Sequence, residues 1–383
     1  MPHEGFCGAN RIHHLKAYVL PALQPWQHIY NFLGALELTP MMPDPGQDVA
    51  IVAIGRNEGD RLKSCLRAAL AGARTVVYVD SGSVDGSVAY ARSIGCSVVE
   101  LDPARPFSAA RARNEGFAWL MEHEPQVAIV QFIDGDCDLV DGWLEQGVAT
   151  LHERSHVGVV FGHVREINRE ATVYNRLCDL EWQRTPGEIG ACGGIFIARA
   201  EAFRAVGGFR ADVIAAEDDE FCVRLRSAGW KILLLDAAMV GHDAAMTHFS
   251  QWWRRARRTG HAYAQVAAIH GKSEERYFVR DCRKIWLWAL VLPLLALCLA
   301  PFTYGWSLLV LLSLYALQFD RIYLNGKKRG WRTGDALVYA LFTVIGKFPM
   351  LEGLLAFHWR RGRGQTPTIM EHKRSAAEGS SGR

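Results

Sequence analysis

An apolar run with strand character, residues 128–133, ends abruptly in Asp134, Asp136 and Asp138. Few folds tolerate that. Strands that stop at carboxylates place the acids along one sheet edge, and in open α/β folds ligands collect outside the carboxyl ends of the strands. Three carboxylates so close together repel one another unless a cation or a basic ligand lies between them. Hard divalent ions take oxygen ligands, often one or two carboxylates together with phosphates. The stretch therefore reads first as a metal–diphosphate site, against the blander reading of a solvated acidic turn.

The same design recurs along the chain. Residues 49–54 are a β-branched run followed by GRNEGDRL and helical spacing through residue 71. A second strand, 75–80, ends in Asp80 and is followed by SGSVDGS and a helix to residue 94. A short strand at 96–101 and a helix at 107–121 lead into the strand before Asp134. Later strands are expected at 157–164, 194–198 and 231–235, the last after a helix at 219–228. Strands alternating with helices of this length predict an α/β domain with a mostly parallel sheet and helices on both faces. Its expected bounds are 48–270.

Composition narrows the field. Of 383 residues, 50% are hydrophobic and 22% charged, so a large core is available. A net charge of +3 gives no argument for nucleic acid. The nine cysteines form no CxxC pair, which suits reduced thiols facing the cytosol better than a disulfide framework. HExxH, P-loop and GxGxxG patterns are absent. Residues 1–47 form an extension without a signal-peptide pattern, and Met41 is an alternative start just before the first strand.

Beyond Asp281 the character changes, with no charged residue from 285 to 319. One helix of that length is about 52 Å long, against a hydrocarbon core of ~30 Å. A break at residues 301–305 predicts instead a hairpin of membrane helices at about 285–302 and 304–322, within a membrane-associated region at 271–362. Basic residues crowd both flanks, from Lys272 to Lys284 and from Arg321 to Arg332, and none lies in the turn. The positive-inside rule then puts both flanks in the cytoplasm. Residues 336–357 are apolar but carry Lys347 and Glu352, so an interfacial or re-entrant helix is expected there. Residues 363–383 form a basic, then polar, tail expected to be disordered.

Several side chains at the ligand edge carry both a structural and a chemical reading. Asp85 suits a helix cap. In the run Glu217 to Glu220, the helix dipole accounts for Asp219 and Glu220, while Glu217 and Asp218, placed ahead of the helix, are free to face a site. Arg224 is a candidate salt-bridge partner for that pair. His242 could complete a metal shell begun by Asp136. The helix in SQWWRRARRTGHAYAQ has a strongly basic face, suited equally to anionic headgroups and to phosphates of a substrate.

Taken together, IGRNEG, VDSGSVDGS, ARARNEG, IDGDCDL and AEDDEFCVRLRSAGWKI stand in the order of the family 2 glycosyltransferases of the GT-A fold, which the chain resembles from about residue 49 to 265. The anchored end resembles bacterial polysaccharide-assembly members. The resemblance implies that Gly55, Arg56, Asn57, Glu58, Asp80 and Ser81 hold the nucleotide, and that Arg113 and Asn114 lie near nucleotide and diphosphate. It implies that Asp134 meets ribose, that Asp136, with His242, meets Mg²⁺ or Mn²⁺, and that Asp218 and Glu217 are the catalytic pair. Ser81 departs from the second Asp of many relatives. Arg255 stands where the QxxRW signature of processive synthases has Trp, which argues for one sugar added per encounter.

The resulting expectation is an inverting, metal-dependent hexosyltransferase. It would move a sugar from a nucleotide-sugar donor, UDP-linked first, to a lipid-linked glycan or polysaccharide. It would be a multi-pass protein of the cell inner membrane with its catalytic domain in the cytoplasm, and would bind no nucleic acid. Two alternatives differ in class. One is a phosphohydrolase of the haloacid dehalogenase type, with Asp134 as nucleophile, although that fold carries its DxD on the first strand. The other is a non-catalytic membrane scaffold.

Overall fold

The computed structural model describes residues 49–364, all within one compact unit. The expectations for residues 1–47 and for nearly all of the tail lie outside the described residues. Strands β1 (Val49–Gly55), β2 (Thr75–Asp80), β3 (Ser97–Glu100) and β4 (Ile129–Asp134) form a parallel block in the order β3-β2-β1-β4. Residues 49–54 of β1 are buried throughout, as expected of a parallel strand covered on both faces. The register sets Gly55 beside Asp80 and Ile54 beside Asp134, so both acids leave the sheet at one edge. Strand order reverses between β1 and β4, which makes that edge a topological switch point.

The remaining strands are β5 (Cys137–Leu139), β6 (Val157–Glu166), β7 (Gly187–Glu188), β8 (Phe196–Arg199) and β9 (Lys231–His242). Antiparallel β8 joins β4 to β6, and β9 then runs parallel to β6. The sheet is therefore mixed but mostly parallel. Helices α1 (Asp60–Gly72), α2 (Ser87–Ser93), α3 (Ala109–His123), α4 (Trp143–Glu153), α5 (Val173–Trp182), α6 (Ala200–Ala205) and α7 (Glu217–Ser227) complete this part.

Two neighbours on β4 show that both sheet faces are covered. Gln131 accepts a 2.9 Å hydrogen bond from Trp143 of α4. Phe132, which points the opposite way, stacks on Phe203 of α6 at 4.9 Å. Phe209 and Phe221 of α7 extend that aromatic cluster. Gly116 lets α3 lie close on the sheet, since a Cβ there would come within 2.5 Å of Val52.

Two boundaries differ from expectation. Helix α7 begins at Glu217 rather than at Asp219, so all four acids occupy its first turn, where the helix dipole favours them. Strand β9 continues to His242, well past residue 235, held by β6 on one side and β5 on the other.

The C-terminal part contains α8 (Phe249–His270), α9 (Val279–Trp286), α10 (Leu292–Leu299), α11 (Trp306–Lys328), α12 (Thr333–Ile345) and α13 (Lys347–Gly362). A π-helical turn, Leu287–Val291, joins α9 to α10 just before Pro293. Proline has no N–H for the preceding turn, a common cause of such local rewinding. Three stretches are long and apolar enough to cross a membrane: Val279–Leu299, Trp306–Lys328 and Thr333–Gly362. Leu309, Leu312 and Leu317 of α11 are each more than half exposed.

The third stretch, expected to lie at the interface, changes helix at Gly346 and turns onto the α/β body. Helices α8 and α13 cross backbone to backbone. A Cβ on Gly353 would lie 1.9 Å from the Arg257 carbonyl oxygen, and one on Gly260 would lie 1.9 Å from that of Met350. Further ties hold the start of α12: Arg169 to Asp335 at 2.8 Å, and Trp331 donating to Gln183 at 2.8 Å.

Candidate active site

A cleft of about 610 Å³ opens at the switch-point edge. Gly55 reaches it from the end of β1, Glu58 and Ser81 from the loops after β1 and β2, Asp134 from the end of β4 and Asp136 from the turn beyond it, Glu217 and Asp218 from α7, and His242 from the end of β9. Sequence-distant residues thus meet because four separate elements end at one edge.

The two loops beside β1 and β2 are stitched together. Asn57, at φ 54°, accepts from the Val84 N–H at 2.8 Å, and its own N–H donates to the Ser83 hydroxyl at 2.9 Å. Asp85 accepts from Gly59 N–H at 2.9 Å and from Ser87 N–H at 3.1 Å, so it ties a helix start to the neighbouring loop. Asp80 is buried and accepts from Tyr78 and from the N–H groups of Gly82 and Ser83. Its carboxylate shapes the loop from beneath. Arg61 holds Glu58 at 2.6 Å, and the Arg56 guanidinium sits over Phe107 at 5.6 Å.

Arg113 is 2% exposed and donates to Asp134 at 2.7 Å and to Glu217 at 3.2 Å. Burial works against its charge, but Asp134, Glu217 and Asp218 outweigh that and raise its pKa. A Cβ on Gly194 would fall 2.2 Å from this guanidinium, so the close approach requires glycine there. The neighbouring Asn114 points elsewhere: both atoms of its carboxamide pair with the Phe209 backbone, at 2.7 and 2.8 Å.

On α7 the four acids divide by partner. Glu217 takes Arg113, Asp219 accepts from Tyr277 at 2.7 Å, and Glu220 takes Arg224 one turn on. Arg224 therefore holds neither Glu217 nor Asp218, which lie seven and six residues before it; its i,i+4 partner on the helix is Glu220. Asp218 accepts the Asp219 N–H at 2.9 Å. Burial, with Asp219 and Glu217 close by, pushes its carboxyl up to about 8. A carboxyl so raised can exchange a proton near neutral pH.

Asp136 and His242 lie close together at this edge. The His242 Nε2 is 3.7 Å from Asp136 Oδ1, and the ring packs edge-on to Trp182 at 4.7 Å. Its Nδ1 is buried without a hydrogen-bond partner among the described residues. With the Cys137 sulfur, these residues place candidate ligand atoms within 4.8 Å of one another. Cys137 is itself in the core, so carboxylate and imidazole are the accessible donors. That donor set fits a divalent ion.

Helix α8 supplies a wall that sequence reasoning left undecided. Arg255, Arg258 and Tyr263 line the cleft, and Arg255 pairs with Glu181 at 2.5 Å. The basic SQWWRRARR pattern was the available signal. Trp182 had none, since its place depends on how α5 docks beside β9.

The family described as "Glycosyl transferase family group 2" matches residues 114–324. The glycosyltransferase AglE of Haloferax volcanii is 24% identical over 257 residues, covering 63% of this chain and 80% of its own length. A pre-mycofactocin glycosyltransferase of Mycobacterium tuberculosis is 29% identical over 237 residues, covering 58% of this chain. The chain spans about half of that relative, 48%. Among solved structures, a mannosyltransferase of Pyrobaculum calidifontis in complex with GDP-Man and Mn²⁺ superposes with a TM-score of 0.53 at 16% identity, over 87% of this chain and 95% of its own.

Proposed function

Because this chain belongs to glycosyl transferase family group 2, we propose that its cleft transfers a sugar, with inversion, from a nucleotide-sugar donor to a lipid-linked or polysaccharide acceptor at the cytoplasmic face of a membrane. The observation that carries the reading is the meeting of Asp134, Asp136 and Asp218, from two separate elements, around one cleft. Family membership removes the phosphohydrolase alternative, as does the position of Asp134 on the fourth strand.

In this reading the loops around Asn57 and Asp80 form the nucleoside end, and Asp136 with His242 would hold the metal. A divalent ion there would stabilise the charge of the departing nucleoside diphosphate. The imidazole in the set favours Mn²⁺ over Mg²⁺, which prefers all-oxygen shells. The Mn²⁺ and GDP-Man of the Pyrobaculum mannosyltransferase support testing GDP-linked donors beside the UDP-linked ones.

Asp218 is the general base. The acceptor hydroxyl attacks the anomeric carbon, its proton passes to the Asp218 carboxylate, and the bond to the diphosphate oxygen breaks with its electron pair. Arg113 is a positioning residue that fixes Asp134 and Glu217 relative to each other. The three apolar stretches support membrane attachment, and the basic flanks around them support a cytoplasmic cleft.

The test is Asp218→Asn. It should bind nucleoside diphosphate and Mn²⁺ normally while transfer falls by ~10²–10⁴-fold, the usual contribution of a general base. A larger loss in Glu217→Gln would move the base to that neighbour. Unchanged transfer in both would refute the assignment.

A further inference from the structure

A second cavity of about 370 Å³ lies among α5, α8, α12 and α13. Arg255, Thr259 and Tyr263 line both this chamber and the cleft, so they form the partition between the two. Its walls are aromatic, with Trp252 meeting Phe342 edge-on at 4.8 Å and Tyr339 nearby.

The charges inside do not balance. Arg255 is paired with Glu181. Lys347 also lines the chamber; among the described residues Asp281 attracts it, but no carboxylate lies within 4.0 Å, and its one hydrogen-bond contact is the Met350 sulfur at 4.0 Å. An ammonium in an enclosed site ordinarily has an anionic partner. The walls meanwhile belong to helices whose outer faces expose Leu337, Leu341 and Phe348, within a stretch apolar enough to enter a bilayer.

A cation with no carboxylate in direct contact has room for a phosphate, and aromatic walls that continue into bilayer-competent helices suit a hydrocarbon chain. We infer that this chamber binds the phosphate-bearing head of a lipid-linked acceptor, with Lys347 and Arg255 on the phosphate and the chain leaving between α12 and α13. The acceptor hydroxyl would then reach Asp218 past the Arg255–Thr259–Tyr263 partition. The inference rests on the transferase reading of the cleft and deepens it by favouring lipid over free polysaccharide.

The experiment uses the full chain in neutral detergent micelles, with farnesyl phosphate as probe and farnesol and inorganic phosphate as comparisons, binding being read by calorimetry. Farnesyl phosphate should bind, and both comparison compounds should bind at least tenfold more weakly. Lys347→Met should weaken farnesyl phosphate roughly tenfold or more, the usual scale for a lost charge-assisted hydrogen bond. Lys347→Arg should retain most of the affinity. Thr343→Trp should fill the chamber and abolish binding. Retained UDP or GDP binding with Mn²⁺ certifies that each variant is folded.

Farnesyl phosphate binding that ignores both Lys347→Met and Thr343→Trp would overturn the proposal, as would no binding to the unmodified chain. Equal affinity for inorganic phosphate would replace it with a simple anion site. If the unmodified chain binds farnesyl phosphate through Lys347 but takes no nucleoside diphosphate, the chamber stands and the transferase reading of the cleft fails.

Discussion

Arg113 donates to Glu217 at 3.2 Å across 104 positions of sequence, and the same guanidinium donates to Asp134 at 2.7 Å. One buried cation thus sets the spacing between the end of β4 and the first turn of α7. Removing one partner of a buried ion pair leaves the others uncompensated, which typically costs 3–5 kcal/mol. Asp134 is 34% exposed, so Arg113→Met should cost roughly 3 kcal/mol, the low end of that range. Chemical denaturation should show this, together with weaker nucleotide binding. Arg113→Lys, which lacks the fork, should recover stability only in part.

Metal dependence should follow Asp136 and His242. A ligand at 100 times its dissociation constant adds about 2.7 kcal/mol of stability, so thermal shift reads affinity directly. In Asp136→Ala the extra stabilisation that Mn²⁺ gives to bound nucleoside diphosphate should vanish, and in His242→Ala it should shrink. An undiminished Mn²⁺ effect in both variants would place the ion elsewhere.

The Asp218 carboxyl, raised to about 8 by burial and by Asp219 and Glu217, gives a sign to the pH profile. A base acts only when deprotonated, so kcat/KM should rise with pH up to about 8 and level off above it. Below that value it should fall tenfold per pH unit. Asp218→Asn should lose this limb along with most of the rate. A profile that is flat from pH 6 to 9 would disprove the assignment.

Gly353→Ala offers a test by direction. In an ordinary helix interior the change stabilises by about 1 kcal/mol. Here the new methyl would lie 1.9 Å from the Arg257 carbonyl oxygen, so α8 and α13 must separate. Overpacking of this kind typically costs 1–3 kcal/mol. The melting temperature in detergent should fall; a rise would mean that the two helices pack loosely.

Topology can be read by labelling single introduced cysteines. One at Thr303, in the turn between α10 and α11, should react from the outer side of the membrane. Those at Ser273 and Lys327 should react only from the cytoplasmic side. Outer-side labelling at either flank would overturn the orientation proposed.

Much of this arrangement was legible because its signals are local. Asp80 and Asp134 each end a β-branched run, and a parallel register carries both to one edge. What stayed hidden depends on distant contacts. Nothing in residues 194–198 announces that β8 will enter antiparallel between β4 and β6. The start of α7 was misplaced by two residues because four successive acids suit both a helix start and the loop before it. Trp182 and Tyr263 reach the cleft only through the docking of α5 and α8, which no spacing within those helices encodes.

The cross-bonds among Asn57, Ser83, Val84, Asp85 and Gly59 bear on any attempt to redesign this edge. The turns after β1 and β2 behave as a single module assembled from two pieces of chain. Swapping in one turn from a relative would leave Asn57 or Asp85 facing backbone groups that no longer match. Residues 55–59 and 80–87 therefore have to be exchanged as a unit, and a chimera carrying only one of them should lose order at the edge before it acquires any new preference.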